Sequence, residues 1–307
     1  MSGPVHDPDL AYRDELLPRV DVRDGRRTEV GGVPVARVLP TRGRRTVGAW
    51  CFVDLLGPMD AVDPDPLEVG PHPHIGLSTV TWLTDGEALH SDSLGTEQPI
   101  RPGQVNLMTA GGGISHAELA AGPSFRGVQL WLAQPEATRH GAAGFQHHAE
   151  LPQLDLGTGQ ALVFVGALSD VVAPVSTDTE VVGAELRLSR GVTVLPTDVR
   201  YELAIVPLDG QIRVGERIVE PGRIGLVPVG VDELPVEVGR GGARALLIGG
   251  IPLGERIQMW WNFVARDRDE LTAAYRDWEQ RTARFGAVAS DLERIEAPVP
   301  PWLGPVR

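Results

Sequence analysis

The 307-residue sequence predicts an all-β protein of two tandem barrels, followed by an amphipathic helix near the C-terminus. Three observations carry that expectation. Most of residues 28–260 falls into short apolar and β-branched runs broken by Gly, Pro, Asp or Asn, as at 77–83, 104–108, 127–132, 161–165 and 203–206. Short strands at close spacing belong to sandwiches and barrels. A strand-and-turn frame then occurs twice, as Leu83-Thr84-Asp85-Gly86 with Arg101-Pro102-Gly103, and as Leu208-Asp209-Gly210 with Glu220-Pro221-Gly222. Asp-Gly suits a tight hairpin turn, and Pro-Gly suits a type II turn in which Gly supplies the positive φ. Finally, Leu271, Ala274, Tyr275 and Trp278 recur at helical spacing among charged neighbours, which predicts a helix with one face on a core.

The elements divide into a first barrel over 1–134, a polar, Gly-rich linker over 135–157, and a second barrel with its helix and tail over 158–307. The Pro-rich end, 298–305, reads as an extended tail. Gly and Pro make up a fifth of the chain, which suits many turns rather than long helices. All the basic residues are Arg, and the formal charge is −13. Such a surface repels a phosphate backbone, so direct nucleic-acid binding is not expected. The single cysteine, Cys51, forms no intrachain disulfide and fits a reducing compartment. No apolar run is long enough to span a membrane, so a cytoplasmic protein is expected.

The chemistry lies in Pro71-His72-Pro73-His74 and, some forty residues on, His116-Ala117-Glu118. Residues i and i+2 of a strand project to one face. His72 therefore points with His74, and His116 with Glu118. Where the two strands face one another inside a barrel, three imidazoles and one carboxylate converge. That donor set suits Fe, Mn, Co, Ni, Cu or Zn. His90, His140, His147 and His148 lie outside the pattern and read as surface or neighbouring residues, with His147-His148 as solvated linker.

At these residues the chain resembles the pirin family of the cupin superfamily. The similar segments are 43–58 (GRRTVGAWCFVDLLGP), 72–87 (HPHIGLSTVTWLTDGE), 90–95 (HSDSLG), 101–118 (RPGQVNLMTAGGGISHAE), 128–135 (VQLWLAQP) and 250–264 (GIPLGERIQMWWNFV). The resemblance implies two cupin barrels of the double-stranded β-helix, or jelly-roll, type. It also implies one metal ion per chain, iron first, held in the N-terminal barrel by His72, His74, His116 and Glu118. Ser78 stands where the general cupin pattern has a ligating Glu, and Asn106 or Leu107 where it has a His, so the later His116/Glu118 pair completes the set.

Carrying the repeat across places Pro196 and Asp198 at the positions of His72 and His74, and Pro235 and Glu237 at those of His116 and Glu118. No histidine follows His148, so the second barrel is expected to be metal-free. The resemblance further implies a quercetin 2,3-dioxygenase-like activity on a small aromatic oxygenated substrate with O2. Glu118 is the expected base, and Phe52, Met108 and Trp131 the candidate apolar walls of the substrate site. The alternative is a metal- or redox-dependent regulator that acts through a protein partner.

Overall fold

The computed structural model describes residues 19–30, 33–57 and 67–304. The first barrel is built from β2 (Arg26–Val30), β3 (Val33–Leu39), β4 (Trp50–Leu56), β5 (Glu68–His74), β6 (Leu77–Asp92), β7 (Glu97–Ile100), β8 (Val105–Thr109), β9 (Ile114–Ala133) and β10 (Gly144–His148). Its sheet runs β10-β8-β6-β9-β4-β3-β2, with β5 paired to β9 and β7 to β6. The long strands β6 and β9 bend through register shifts near Leu83 and Asp85, so each serves both walls of the barrel.

The second barrel contains β11 (Gln153–Asp155), β12 (Gly159–Leu168), β13 (Val171–Val172), β14 (Val181–Leu188), β15 (Gly191–Pro196), β16 (Glu202–Asp209), β17 (Ile212–Val214), β18 (Arg217–Val219), β19 (Arg223–Val227), β20 (Glu233–Val238) and β21 (Ala243–Gly250). A hairpin follows, β22 (Gln258–Trp260) with β23 (Phe263–Ala265), and then α1 (Arg268–Glu279). The helix buries Leu271, Ala274 and Trp278, and the Asp267 side chain caps it by accepting from the Glu270 N–H at 2.9 Å. The tail docks: Trp302 Nε1 donates to Thr272 Oγ1 at 2.9 Å.

Two segments cross between the barrels. The N-terminal strand β1 (Asp21–Asp24) pairs with β19 of the second barrel. Conversely, the chain after β21 returns to the first barrel: Ile75 bridges Phe263, and the Ile295 N–H donates to the Pro71 carbonyl at 2.9 Å. The stretch 135–157, expected as a linker, carries β10 and β11, which extend the edges of the two sheets.

One apolar cluster joins the barrels, uniting Trp50, Trp82, Val128 and Leu130 with Phe164, Val181, Ala204 and Ile248. The Trp50 indole N–H reaches the carbonyls of Val182 and Gly249 at 3.1 and 3.0 Å. Trp82 stacks on Phe164 and donates to the fully buried Glu185, which also receives Arg187 and Arg244. Three donors, one indole N–H and two guanidinium groups, offset the cost of burying that carboxylate.

The second barrel's interior is filled by Leu195, Ile205, Ile212, Leu234, Val236 and Leu247. This corrects the register carried over from the repeat. β15 pairs with β20 through Val194 opposite Pro235 and Val192 opposite Glu237, but Val192, Val194 and Glu237 are exposed. The inward positions are one residue away, at Thr193, Leu195, Leu234 and Val236, and a one-residue change of phase reverses the face.

Candidate metal centre

In the first barrel, β5 lies antiparallel to β9 with His72 directly opposite His116. A register shift between Val69 and His72 brings the two imidazole-bearing stretches into step. The rings of His72 and His116 are 4.3 Å apart, and that of His74 is 5.0 Å from each. All three residues are buried. The ligand atoms of His72, His74 and His116 lie within 4.8 Å of one another, and so do those of His90, His116 and Glu118. The structure thus brings the three imidazoles into one group and places Glu118 in a second, with His90, that shares His116.

Backbone carbonyls orient two of the rings. His72 Nδ1 donates to the Gly70 carbonyl and His74 Nδ1 to the Asn262 carbonyl, each at 2.9 Å. A carbonyl only accepts, so the proton of each neutral ring sits on Nδ1 and Nε2 keeps a bare lone pair. His74 Nε2 is 3.0 Å from His116 Nε2. Burial drives the basicity down: His72 is lowered to about 4, and His74 and His116 well below the usual imidazole range, with repulsion from neighbouring rings adding to the effect. Neutral imidazoles with bare, converging nitrogens fit a divalent metal ion. Glu118 is pushed above the ordinary carboxylate range by burial, against the attraction of His90 and a 3.1 Å hydrogen bond from Thr81 Oγ1.

A cleft of about 490 Å³ opens onto this cluster, within the range of small-molecule sites. Phe52 and Trp131 line it, stacked at 3.9 Å with a 12° interplanar angle, and Trp131 meets the His74 ring edge at 5.2 Å. The Arg37–Asp54 ion pair forms its polar wall, with the guanidinium 4.3 Å above the Phe52 ring. Met108, expected in this wall, lies elsewhere. It belongs to the same cross-strand row, Phe52-Trp131-Thr79-Met108, but sits two strands further round and packs against Ala110, Ile114 and Phe145.

Several contributors escaped the sequence reading. Met259, Trp261, Asn262 and Ile295 reach the cleft from the far end of the chain. Trp261 turns the β22–β23 hairpin at φ 52°, a sparsely populated conformation for a bulky residue, and thereby aims the next carbonyl, that of Asn262, at His74. The returning tail lies so close to the β5 backbone that a Cβ at Gly70 would sit 1.9 Å from the Glu293 carbonyl oxygen. His147 is not solvated linker: within β10 it is half-buried, and its Nδ1 donates to Asn106 Oδ1 at 2.7 Å. His90, first grouped with surface or neighbouring residues, is buried against His116.

Two β-barrels with a histidine cluster in the first define a two-barrel cupin. Profile comparison matches residues 32–132 to Pirin and residues 183–286 to the Pirin C-terminal cupin domain. A Pseudomonas aeruginosa protein, named provisionally as a quercetin 2,3-dioxygenase, is 42% identical over 94% of this chain and 92% of its own. A Caulobacter vibrioides pirin-like protein is 35% identical over 84% of this chain and 92% of its own. The crystal structure of a quercetin 2,3-dioxygenase from Acinetobacter baumannii superposes with a TM-score of 0.87 at 38% identity, covering 94% of this chain and 97% of that one. The chain belongs to the pirin family.

Proposed function

We propose that this pirin binds one divalent metal ion, iron first, through His72, His74, His116 and Glu118, and uses it to open the ring of quercetin-like flavonols with O2. The observation that carries this reading is the convergence of three buried, neutral imidazoles at the floor of an open cleft walled by aromatic side chains. The names borne by the Pseudomonas and Acinetobacter relatives support the substrate class. When bound, the ion would supply Lewis acidity toward adjacent hydroxyl and carbonyl oxygens and the electron chemistry that O2 requires.

The residues of the chain do the rest. Phe52 and Trp131, locked by stacking on each other, supply a rigid apolar wall of the cleft beside which a flat substrate fits. Arg37, tied to Asp54, offers a fixed positive charge at the cleft wall. Glu118 accepts the hydroxyl proton at Oε1 or Oε2. Its burial raises its basicity toward that task, and Thr81 Oγ1 holds Oε1 in place.

Aerobic turnover of quercetin tests the reading, comparing protein reconstituted with Fe(II), protein stripped of metal, and Glu118→Gln. The expected result is metal-dependent loss of the flavonol, slowed by roughly a hundredfold or more in the variant. Protein that holds one iron per chain yet leaves quercetin intact would refute the flavonol assignment.

A further inference from the structure

His116 differs from the other two imidazoles in what surrounds it. Among the described residues, no backbone carbonyl lies within hydrogen-bonding distance of either nitrogen. Its Nε2 faces His74 Nε2 at 3.0 Å, and its Nδ1 faces His90 Nδ1 at 3.4 Å. A neutral ring has one proton to place, and either neighbour is positioned to accept it.

The neighbours of His90 decide where that proton goes once Nε2 is engaged by an ion. In the β6–β9 ladder, His90 lies opposite Glu118 and Asp92 opposite His116, so all four side chains share one face. His90 Nε2 lies 3.2 Å from Asp92 Oδ2. Asp92 is buried, and its Oδ1 accepts from the Leu94 and Thr96 N–H groups at 2.9 and 3.1 Å, which fixes the carboxylate. An ionised carboxylate only accepts, so His90 carries its proton on Nε2 and turns a bare Nδ1 toward His116. Stacking on Phe145 at 4.6 Å holds the ring in that plane.

We propose that the Asp92–His90 pair is a positioning device that accepts the Nδ1 proton of His116 and so keeps the Nε2 lone pair of His116 free for the metal. The inference rests on the metal reading above. His90 and Asp92 do for His116 what the Gly70 and Asn262 carbonyls do for His72 and His74. Without the pair, an occupied site would leave a buried N–H on His116 with no acceptor. Outer hydrogen-bonding partners of this kind typically change metal affinity by about ten- to a hundredfold.

Asp92→Asn inverts the relay while sparing the loop. The Asn oxygen keeps the two backbone N–H groups, so its amide nitrogen faces His90 and donates. His90 must then carry its proton on Nδ1, against the proton on His116. His90→Phe removes the acceptor and keeps the stack on Phe145. The test measures Zn(II) affinity by chelator competition for wild type, both variants and His74→Ala, with ¹⁵N NMR of the zinc-loaded wild type to locate the His116 proton. The expected results are affinities about ten- to a hundredfold weaker in both variants, unchanged circular dichroism, and a proton on His116 Nδ1.

Affinities within about twofold of wild type in both variants, or His116 bound through Nδ1, would overturn the proposal while leaving the metal site intact. Wild type that binds no zinc would overturn the metal reading and the relay with it. Should His90→Phe fail to fold, Asp92→Asn decides the matter alone.

Discussion

Acidifying the metal-free protein should destabilise it strongly, and His72 sets the scale. Burial lowers the folded-state pKa of this imidazole from 6.5 to about 4. Between those values the unfolded chain takes up a proton that the folded barrel excludes. Stability from this group is therefore complete above about pH 6.5, falls as the pH drops, and reaches its floor near pH 4. Going from pH 7 to pH 5 costs about 2 kcal/mol through His72 alone, and the full window about 3 kcal/mol. His74 and His116 are shifted the same way by burial and mutual repulsion, so they add to the loss. Glu118 works in the opposite sense: its raised pKa relieves a buried charge as the pH falls, but it is one group against three. Set against total stabilities of roughly 5–15 kcal/mol, the effect is large. Urea midpoints of chelator-stripped protein at pH 7 and pH 5 measure it, with His72→Gln as the variant that should lose about 2 kcal/mol of the difference. Equal midpoints at the two pH values would refute the claim that these rings are buried and neutral.

Three further expectations follow from particular contacts. Replacing Asp267 by Ala removes the N-cap acceptor of α1 and should cost about 1 kcal/mol, read as a lower Tm with the metal content unchanged. Glu185→Ala leaves Arg244, Arg187 and the Trp82 N–H facing an empty site between the barrels and should cost about 3–5 kcal/mol in denaturant titrations. Thr81→Val deletes the hydroxyl that holds Glu118 in its ionised form, so the acid limb of the kcat/KM profile should move to higher pH; an unmoved limb would separate Glu118 from the rate-limiting proton transfer.

The site was legible in the sequence to the extent that it is local. His72 and His74, like His116 and Glu118, are i, i+2 pairs, and strand geometry alone places each pair on one face. The helix was equally plain, since Leu271, Ala274 and Trp278 form its buried stripe. What stayed hidden depends on pairing across long stretches of chain. Asn262 meets His74 across 188 residues, and Phe285 accepts from Ser115 Oγ across 170, with no periodicity to announce either. β1 joins the sheet of the second barrel, which its own residues do not foretell. The inner face of β20 turned on a one-residue phase that the gapped repeat could not fix. Met108 shows the same limit within one sheet: its alternation is right for the interior, but its distance from the cleft is set by strand order. His90 had a readable signal. The His-x-Asp spacing of His90 and Asp92 puts both side chains on one face, beside His116 once β6 pairs with β9.

The proposed place of the ion is in the first barrel, among His72, His74, His116 and Glu118. Anomalous diffraction from crystals of the metal-loaded protein, collected at the absorption edge of the metal, tests it most directly. One peak per chain is expected, bonded to Nε2 of His72, His74 and His116 and to a carboxylate oxygen of Glu118. A peak held by His90 and Glu118 without His72 and His74, or one in the second barrel, would contradict it.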